Sequence, residues 1–159
     1  MVGLLRVAVL FALVMGGCAV CAPARAGVLI QNPTTLECVG LQPTMTLNGV
    51  YSVRCAPNGL SDWTINNGLI SSNVYQVGSS GSAQAMCLEV PGGVPGDAVE
   101  LDTCHPTVSA QRWTIDRGHL VNAFKNECLS RVQGLNQLIT EEDCIFSGAG
   151  AKAQTWVLD

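Results

Sequence analysis

Three times along the chain a pair of cysteines is followed at a near-constant distance by a tryptophan: Cys38, Cys55, Trp63; then Cys87, Cys104, Trp113; then Cys128, Cys144, Trp156. The cysteine separations are 17, 17 and 16 positions, the second cysteine precedes the tryptophan by 8, 9 and 12, and the chain has no other tryptophan. Self-similarity at a fixed period marks a repeat architecture. Each unit is too small to bury its own apolar face, so three are expected to close around one shared core with pseudo-threefold symmetry.

The same repeat organises the cysteines. Residues 1–26 read as an export signal: Arg6 is the basic region, Val7 to Val14 the apolar run, and Ala24-Arg25-Ala26 a small-residue cleavage site that makes Gly27 the mature start. The run is shorter than the ~18 to 20 residues of a membrane span, so a secreted protein without such a span is expected. Met15-Gly16-Gly17-Cys18 loosely resembles a bacterial lipoprotein box, which would instead anchor the chain through a lipid on Cys18; Met and Gly fit that box poorly. Loss of the signal removes Cys18 and Cys21 and leaves six cysteines, the even number of a disulfide framework in a small exported domain. Of the 15 pairings open to six cysteines, the repeat selects Cys38 with Cys55, Cys87 with Cys104, and Cys128 with Cys144. No cysteine pair has zinc-knuckle spacing and the two histidines stand apart, so neither metal nor cofactor is expected.

Charge narrows the partners. Arg6 and Arg25 leave with the signal, so six basic side chains face twelve acidic ones, a balance that repels nucleic acid and anionic lipid. The acidic groups Glu141-Glu142-Asp143 and Glu100 with Asp102 read as solvated loops.

Short apolar runs separated by Gly, Asn, Pro and Ser give an all-β pattern over one domain, residues 27–159, in units of about 28–68, 69–119 and 120–159. Opening strands are expected at Leu29-Ile30, Leu69-Ile70 and Leu120-Val121. Second strands fall at Met45 to Val53, Ala98 to Thr103 and Gln137 to Thr140, and third strands run through each tryptophan. Tight turns are expected at Asn66-Asn67-Gly68 and Asp116-Arg117-Gly118. A strand at 28–32 closing on one at 156–158 would leave no free sheet edge. Asn73 to Ala85, extra in the second unit, reads as a surface loop insertion.

Gln111-Arg112-Trp113 and Gln154-Thr155-Trp156 share a Gln-any-Trp signature, of which Ser61-Asp62-Trp63 is a decayed copy. With Cys87-Leu88-Glu89-Val90 and Cys128-Leu129-Ser130 upstream, the chain resembles the ricin B-chain type β-trefoil lectins over essentially its whole mature length. That resemblance implies a β-trefoil of twelve strands, one disulfide within each unit, buried tryptophans and up to three shallow galactose-type pockets. Such a pocket needs a carboxylate and an amide for adjacent hydroxyls, and an aromatic ring under the apolar face of the sugar. In the family the carboxylate is an Asp two residues after the first cysteine, where this chain has Gly40, Glu89 and Ser130. The aromatic slot, two residues before the second cysteine, holds Val53, Asp102 and Glu142, and the Asn expected beside the signature Gln is replaced by Leu60, Ala110 and Ala153.

The second unit therefore comes nearest to a sugar site, with Glu89, Glu100, Asp102 and Gln111 as candidate binding residues and His105 at the rim. The first unit has none. In the third only Gln154 remains, with Asn136, Gln137 and Arg131 free to build something different. The signature glutamines are expected to brace backbone beside the tryptophan strands, the tryptophans to lie in the core, and His105 and His119 to be exposed turn residues. A weak or altered carbohydrate-binding module, monomeric and galactose-directed, is the first functional expectation. The alternative is a non-catalytic protein-protein interaction module that binds a receptor, a toxin partner or a protease, with Tyr51, Tyr75, Phe124 or Phe146 as exposed anchors. No nucleophile, base and orienting group are spaced for catalysis, so the chain is not expected to be an enzyme.

Overall fold

The computed structural model describes residues 27–42, 48–56, 59–77, 83–92 and 94–159. The export signal with Cys18, the start of the second-strand expectation at Met45, and the side chain of Tyr75 lie outside the described residues. Short runs of apolar and β-branched residues pair there into twelve strands, four to each Cys-Cys-Trp unit. The first unit supplies β1 (Val28–Gln31), β2 (Glu37–Gly40), β3 (Tyr51–Arg54) and β4 (Asp62–Asn66). The second supplies β5 (Leu69–Val77), β6 (Ala83–Glu89), β7 (Glu100–Thr103) and β8 (Trp113–Asp116), and the third β9 (His119–Asn122), β10 (Cys128–Arg131), β11 (Ile139–Glu142) and β12 (Val157–Leu158). A 3-10 turn at Ser109–Gln111 and one helix, α1 (Gly148–Gln154), complete the set.

Strands are hydrogen-bonded in the order β3-β2-β1-β4-β5-β6-β7, with β12 also on β1, and β11-β10-β9-β8 form a second sheet. The expected closure of first strand on last is present, with Ile30 opposite Leu158 and Gln31 opposite Val157. Threefold repetition extends to the links between units. Leu101 N donates to Asn48 O at 2.7 Å, Glu141 N to Asp97 O at 3.0 Å and Ser52 N to Gln137 O at 2.8 Å, each three residues before the second cysteine of its unit. The fold is a β-trefoil.

Both expected tight turns form, and both are type I′. Asn67 and Gly68 have φ of 48° and 80°, as do Arg117 and Gly118, matching the right-handed twist of the strands they join. Gly68 is needed for a second reason: its carbonyl accepts from Trp113 N at 2.8 Å, and a Cβ there would lie 3.1 Å from Trp113 O. Each turn thus latches its unit to the tryptophan of the next, since Trp156 N donates to Gly118 O in the same way at 2.8 Å.

The shared core is built in threes. Ile30, Ile70 and Leu120 come from the opening strands and Val39, Leu88 and Leu129 from the residue after each first cysteine; Val50, Val99 and Ile139 lie five before each second cysteine, and the three tryptophans pack with them. Met86, Val90 and Leu101 of the second unit join the same cluster. Each indole is buried and spends its N–H on the same carbonyl of its unit: Trp63 on Val39 O at 2.9 Å, Trp113 on Leu88 O at 3.1 Å and Trp156 on Leu129 O at 2.9 Å. A buried indole needs such a partner. The three disulfides, Cys38–Cys55, Cys87–Cys104 and Cys128–Cys144, pair as the repeat selected.

The structure departs from the sequence reading in several places. The segments carrying the first cysteines, β2, β6 and β10, are strands in their own right. Residues 73–85 are not simply a loop: most extend β5 and β6 into a long hairpin with a register shift between Ser72 and Gln76. The unequal cysteine-to-tryptophan spacings have a local cause, since the stretch holds a turn at residues 59–60 in the first unit, a 3-10 turn in the second and α1 in the third. Glu141 belongs to β11 and is fully buried, against the expectation of a solvated acidic loop. No helix among the described residues is long and apolar enough to cross a membrane.

Candidate functional site

The sequence candidates of the second unit converge because β6 and β7 pair with Glu89 directly opposite Glu100 and Cys87 opposite Asp102. Residues facing each other across an antiparallel pair, and residues two apart along one strand, share a face of the sheet. Glu89, Glu100 and Asp102 therefore line one cavity of about 210 Å³, together with Asn48 from the first unit, Pro91 and Leu101. Like charges opposed across a pair are destabilising. Two facing glutamates are thus a cost to the sheet that the fold itself does not require: the corresponding pairs are Gly40 with Tyr51 and Ser130 with Thr140.

Gln111 stands behind this cavity and does not line it. Its side chain is fully buried, with Oε1 accepting from His105 N at 2.7 Å and Nε2 donating to Thr103 O at 2.9 Å and to Glu89 Oε2 at 2.6 Å. The first two bonds brace the backbone on either side of Cys104, and the third is a short, charge-assisted bond that fixes one carboxylate oxygen of Glu89. Glu89 then presents its remaining lone pairs to the cavity. Asp102 is exposed, with Oδ1 accepting from Thr103 N at 2.6 Å, and His105 is an exposed turn residue as expected. No aromatic ring lines the cavity. Its polar side chains accept hydrogen bonds, with the Asn48 amide adding donors, so the cavity suits a ligand that presents several hydroxyl or N–H donors.

Gln154 braces the third unit as Gln111 braces the second: Oε1 accepts from Ile145 N at 2.7 Å and Nε2 donates to Asp143 O at 2.9 Å. With Ser130 in place of a carboxylate, it has no counterpart of Glu89 to hold. In the first unit Ser61 does half of this work with a shorter chain: its buried Oγ accepts from Ala56 N at 3.2 Å but donates to Ala56 O, so the carbonyl before the second cysteine is not bridged by it. Why that unit carries no carboxylate is steric. A side chain on Gly40 would collide with Val53 and come within 2.8 Å of Leu60 O. The cavity there, about 350 Å³, is lined largely by Leu41, Val53, Leu60 and Leu135.

The residues thought free to build a different third site are dispersed. Asn136 meets the Gln42 side chain at the first unit's cavity, Arg131 pairs with Glu37 of the first unit, and Gln137 is exposed. Of the supposed surface aromatics, Tyr51 is buried, whereas Phe124 and Phe146 are exposed. His119 is buried rather than an exposed turn residue, because the turn that precedes it folds its ring inward: Nδ1 lies 3.1 Å from Arg117 O and Nε2 3.0 Å from Ile145 O.

Two buried asparagines were not anticipated. Asn32 Nδ2 donates to Lys152 O at 2.8 Å and Thr155 O at 3.2 Å, while its Oδ1 accepts from Thr34 N at 3.0 Å. Asn122 Nδ2 donates to Ala110 O at 2.8 Å, and its Oδ1 accepts from Phe124 N at 2.9 Å. Each stands six residues before the first cysteine of its unit; the hairpin extension of the second unit hides that spacing, and Ser72 takes the place. Among the described residues no group of His, Cys, Asp and Glu is placed to hold a metal ion.

Comparison with known proteins agrees with this architecture. Several solved structures are similar. One is the C-terminal half of an earthworm R-type lectin in complex with GalNAc, at TM-score 0.63 and 9% identity, covering 83% of this chain and 96% of that one. An agglutinin from Abrus precatorius matches at TM-score 0.64 and 18% identity over 88% of this chain, which spans about half, 51%, of the agglutinin chain. ThreeFoil, a designed threefold-symmetric protein, matches at TM-score 0.59 and 14% identity over 82% of this chain and 96% of its own. At these identities the likeness speaks for the fold. No curated protein matches the chain in sequence. The ricin-type β-trefoil lectin domain matches residues 26–156, and with three disulfide-closed units, three buried tryptophans and two bracing glutamines in register, the chain belongs to the ricin-type β-trefoil lectin family.

Proposed function

We propose that the chain is a secreted carbohydrate-binding module that works through the second unit alone, with altered rather than standard sugar contacts. The observation that carries this reading is the Gln111–Glu89 bond at 2.6 Å. It aims a carboxylate into a cavity that Glu100 and Asp102 also line, at the position where the family places its sugar-binding Asp. Galactose and N-acetylgalactosamine are the first sugars to try, since the similar earthworm lectin half was solved with GalNAc. Without a ring to stack on the sugar the site forgoes roughly 0.5–1.5 kcal/mol, so affinity is expected to be low for one site and to rest on hydrogen bonds to the carboxylates.

The mechanism is recognition without chemistry. Glu89, held in one orientation by Gln111, accepts from a pair of neighbouring hydroxyls. Glu100 and Asp102 accept from hydroxyls farther around the ring, and the Asn48 amide can donate to a ring or substituent oxygen. A glycan-array screen of the oxidised protein beside Glu89→Gln tests this. The substitution keeps size and the link to Gln111 but halves the acceptors, and it is expected to abolish array signal while leaving the melting temperature within about 2 °C. Undiminished glycan binding by Glu89→Gln would refute the second-unit site. Export is proposed to remove residues 1–26, and N-terminal sequencing of the released protein should read from Gly27; a lipid-modified Cys18 would refute that.

A second reading draws on the first unit. Its cavity of about 350 Å³ with Leu41, Leu60 and Leu135 in its lining suits an apolar side chain of a protein receptor better than a sugar. Binding to such a receptor would survive free galactose and Glu89→Gln, which separates the two readings in one competition experiment.

A further inference from the structure

Departures from threefold symmetry that the fold does not need are where an additional function can be sought. Two occur side by side. Arg131 lies three residues after the first cysteine of its unit, where the other units place Leu41 and Val90, and α1 occupies a stretch where the second unit has only a 3-10 turn. Together with the turn after β1 they enclose a cavity of about 240 Å³ on the seam between the first and third units, lined by Thr34, Thr35, Arg131, Gln133, Lys152 and two alanines of α1, Ala149 and Ala153.

The lining is rich in donors. The Arg131 side chain is only 11% exposed and is held through Nε by Glu37, itself 16% exposed. Among the described residues that is the guanidinium's only side-chain bond, and the Lys152 ammonium, the Thr34 hydroxyl and the Gln133 amide have no hydrogen bond or ion pair. Glu37 neutralises one of the two cations, which leaves a net positive cavity on a chain of formal charge −4. A guanidinium fixed by one carboxylate still offers its Nη donors to a second planar or tetrahedral oxyanion. The volume falls below the ~300–1,000 Å³ of drug-sized ligand pockets, so it fits one small group and not an oligosaccharide.

We infer that this seam cavity binds the anionic group, sulfate or carboxylate, of an acidic saccharide, with Arg131 and Lys152 supplying charge and Thr34 and Gln133 supplying neutral donors. The second-unit cavity, with three carboxylates and no cation, could not accept such a group. The seam would therefore extend recognition to glycans that the first-described site repels.

Titration of the oxidised protein at constant ionic strength, followed by backbone amide chemical shifts, tests this with galactose 6-sulfate, sialyllactose, lactose and sodium sulfate as probes. At least one of the two acidic saccharides is expected to shift the amides of Thr34, Thr35, Gln133 and Lys152, and lactose is not. Lys152→Gln, on an exposed side chain, is expected to weaken that binding about tenfold. Glu37→Gln removes the competing charge while keeping a hydrogen-bond acceptor for Arg131, and it is expected to tighten binding severalfold. A merely structural Glu37 would do the reverse. Shifts with sodium sulfate but with neither acidic saccharide would overturn the saccharide assignment. Silence at these amides with every probe, or equal affinity in wild type and Lys152→Gln, would overturn the site itself. The readout is local, so failure at the seam leaves the second-unit proposal standing, and loss of the latter leaves the seam test intact.

Discussion

The second and third units use the signature glutamine in the same way and differ in what that glutamine is given to hold. Gln111 and Gln154 each accept from the backbone N–H of the residue after the second cysteine at 2.7 Å and donate at 2.9 Å to the carbonyl of the residue before it. In the second unit Nε2 also binds Glu89, and a carboxylate-lined cavity results; in the third Ser130 stands at that place. The Gln-any-Trp signature is thus a property of the scaffold. The residue two positions after the first cysteine decides whether that glutamine has a carboxylate to hold.

The largest effects should fall on the two units alike, through the disulfides. Replacing Cys87 and Cys104 together by Ser, or Cys128 and Cys144 together, opens loops of nearly equal length, 17 and 16 residues. Each should cost ~3 kcal/mol on the chain-entropy account, seen as a fall of roughly 10 °C in melting temperature. Glu89→Ala should cost far less. A second-unit disulfide worth much more or much less than the third would show that the hairpin extension of β5 and β6 changes what that link restrains.

Next in size is the removal of either glutamine. Gln154→Ala and Gln111→Ala each leave a partly buried backbone N–H and C=O without the side chain that braced them, at ~1 kcal/mol apiece, measurable by urea denaturation. Gln111→Ala should cost somewhat more than Gln154→Ala because it also loses the charge-assisted bond to Glu89, and the two variants should differ far more in function. Gln154→Ala should keep full glycan binding, whereas Gln111→Ala should lose it because Glu89 is no longer oriented. Loss of binding in both would mean that the sugar site senses global stability and that the contrast between the units is illusory.

The elements that repeat were legible in the sequence, and those that break the repeat were not. Disulfide pairing, core tryptophans, tight turns and closure of first strand on last all follow from a pattern stated three times, each copy reinforcing the others. The convergence of Glu89, Glu100 and Asp102 was legible because strand period and cysteine register place them on one face. What failed concerns burial and partners. Glu141 and His119 are polar residues in segments that read as solvated, and nothing local in Glu141-Glu142-Asp143 shows that the first of them points inward. Arg131 and Asn136 were assigned to their own unit, but the trefoil packs that edge of the third unit against the first, so their partners are Glu37 and Gln42. Gln111 is both a candidate sugar contact and an expected backbone brace in the sequence, and its buried side chain makes the bracing bonds; its relation to a ligand depends on the depth of a side chain and not on its position in a motif.

The smallest predicted effect concerns a turn whose backbone the first and third units share and whose left-handed residue they fill differently. Leu36 and Asn126 lie at the same point, two residues before the first cysteine, with φ of 60° and 61°. Each amide donates to the asparagine four residues earlier at 2.9 Å, and each carbonyl lies 3.4 Å from the Sγ of its unit's second cysteine. The left-handed conformation costs an ordinary L-residue roughly 1–2 kcal/mol, whereas Asn tolerates it. Leu36 is 66% exposed, so little apolar burial offsets that strain. Leu36→Asn should accordingly stabilise the protein by ~0.5–1 kcal/mol, raising the urea midpoint without changing its slope, and Asn126→Leu should lower the midpoint by a similar amount. If both substitutions were neutral, the surrounding bonds to Asn32 and Asn122 would have to set this turn unaided. The two buried asparagines, and not the left-handed residue that follows them, would then be what makes the first and third units fold alike.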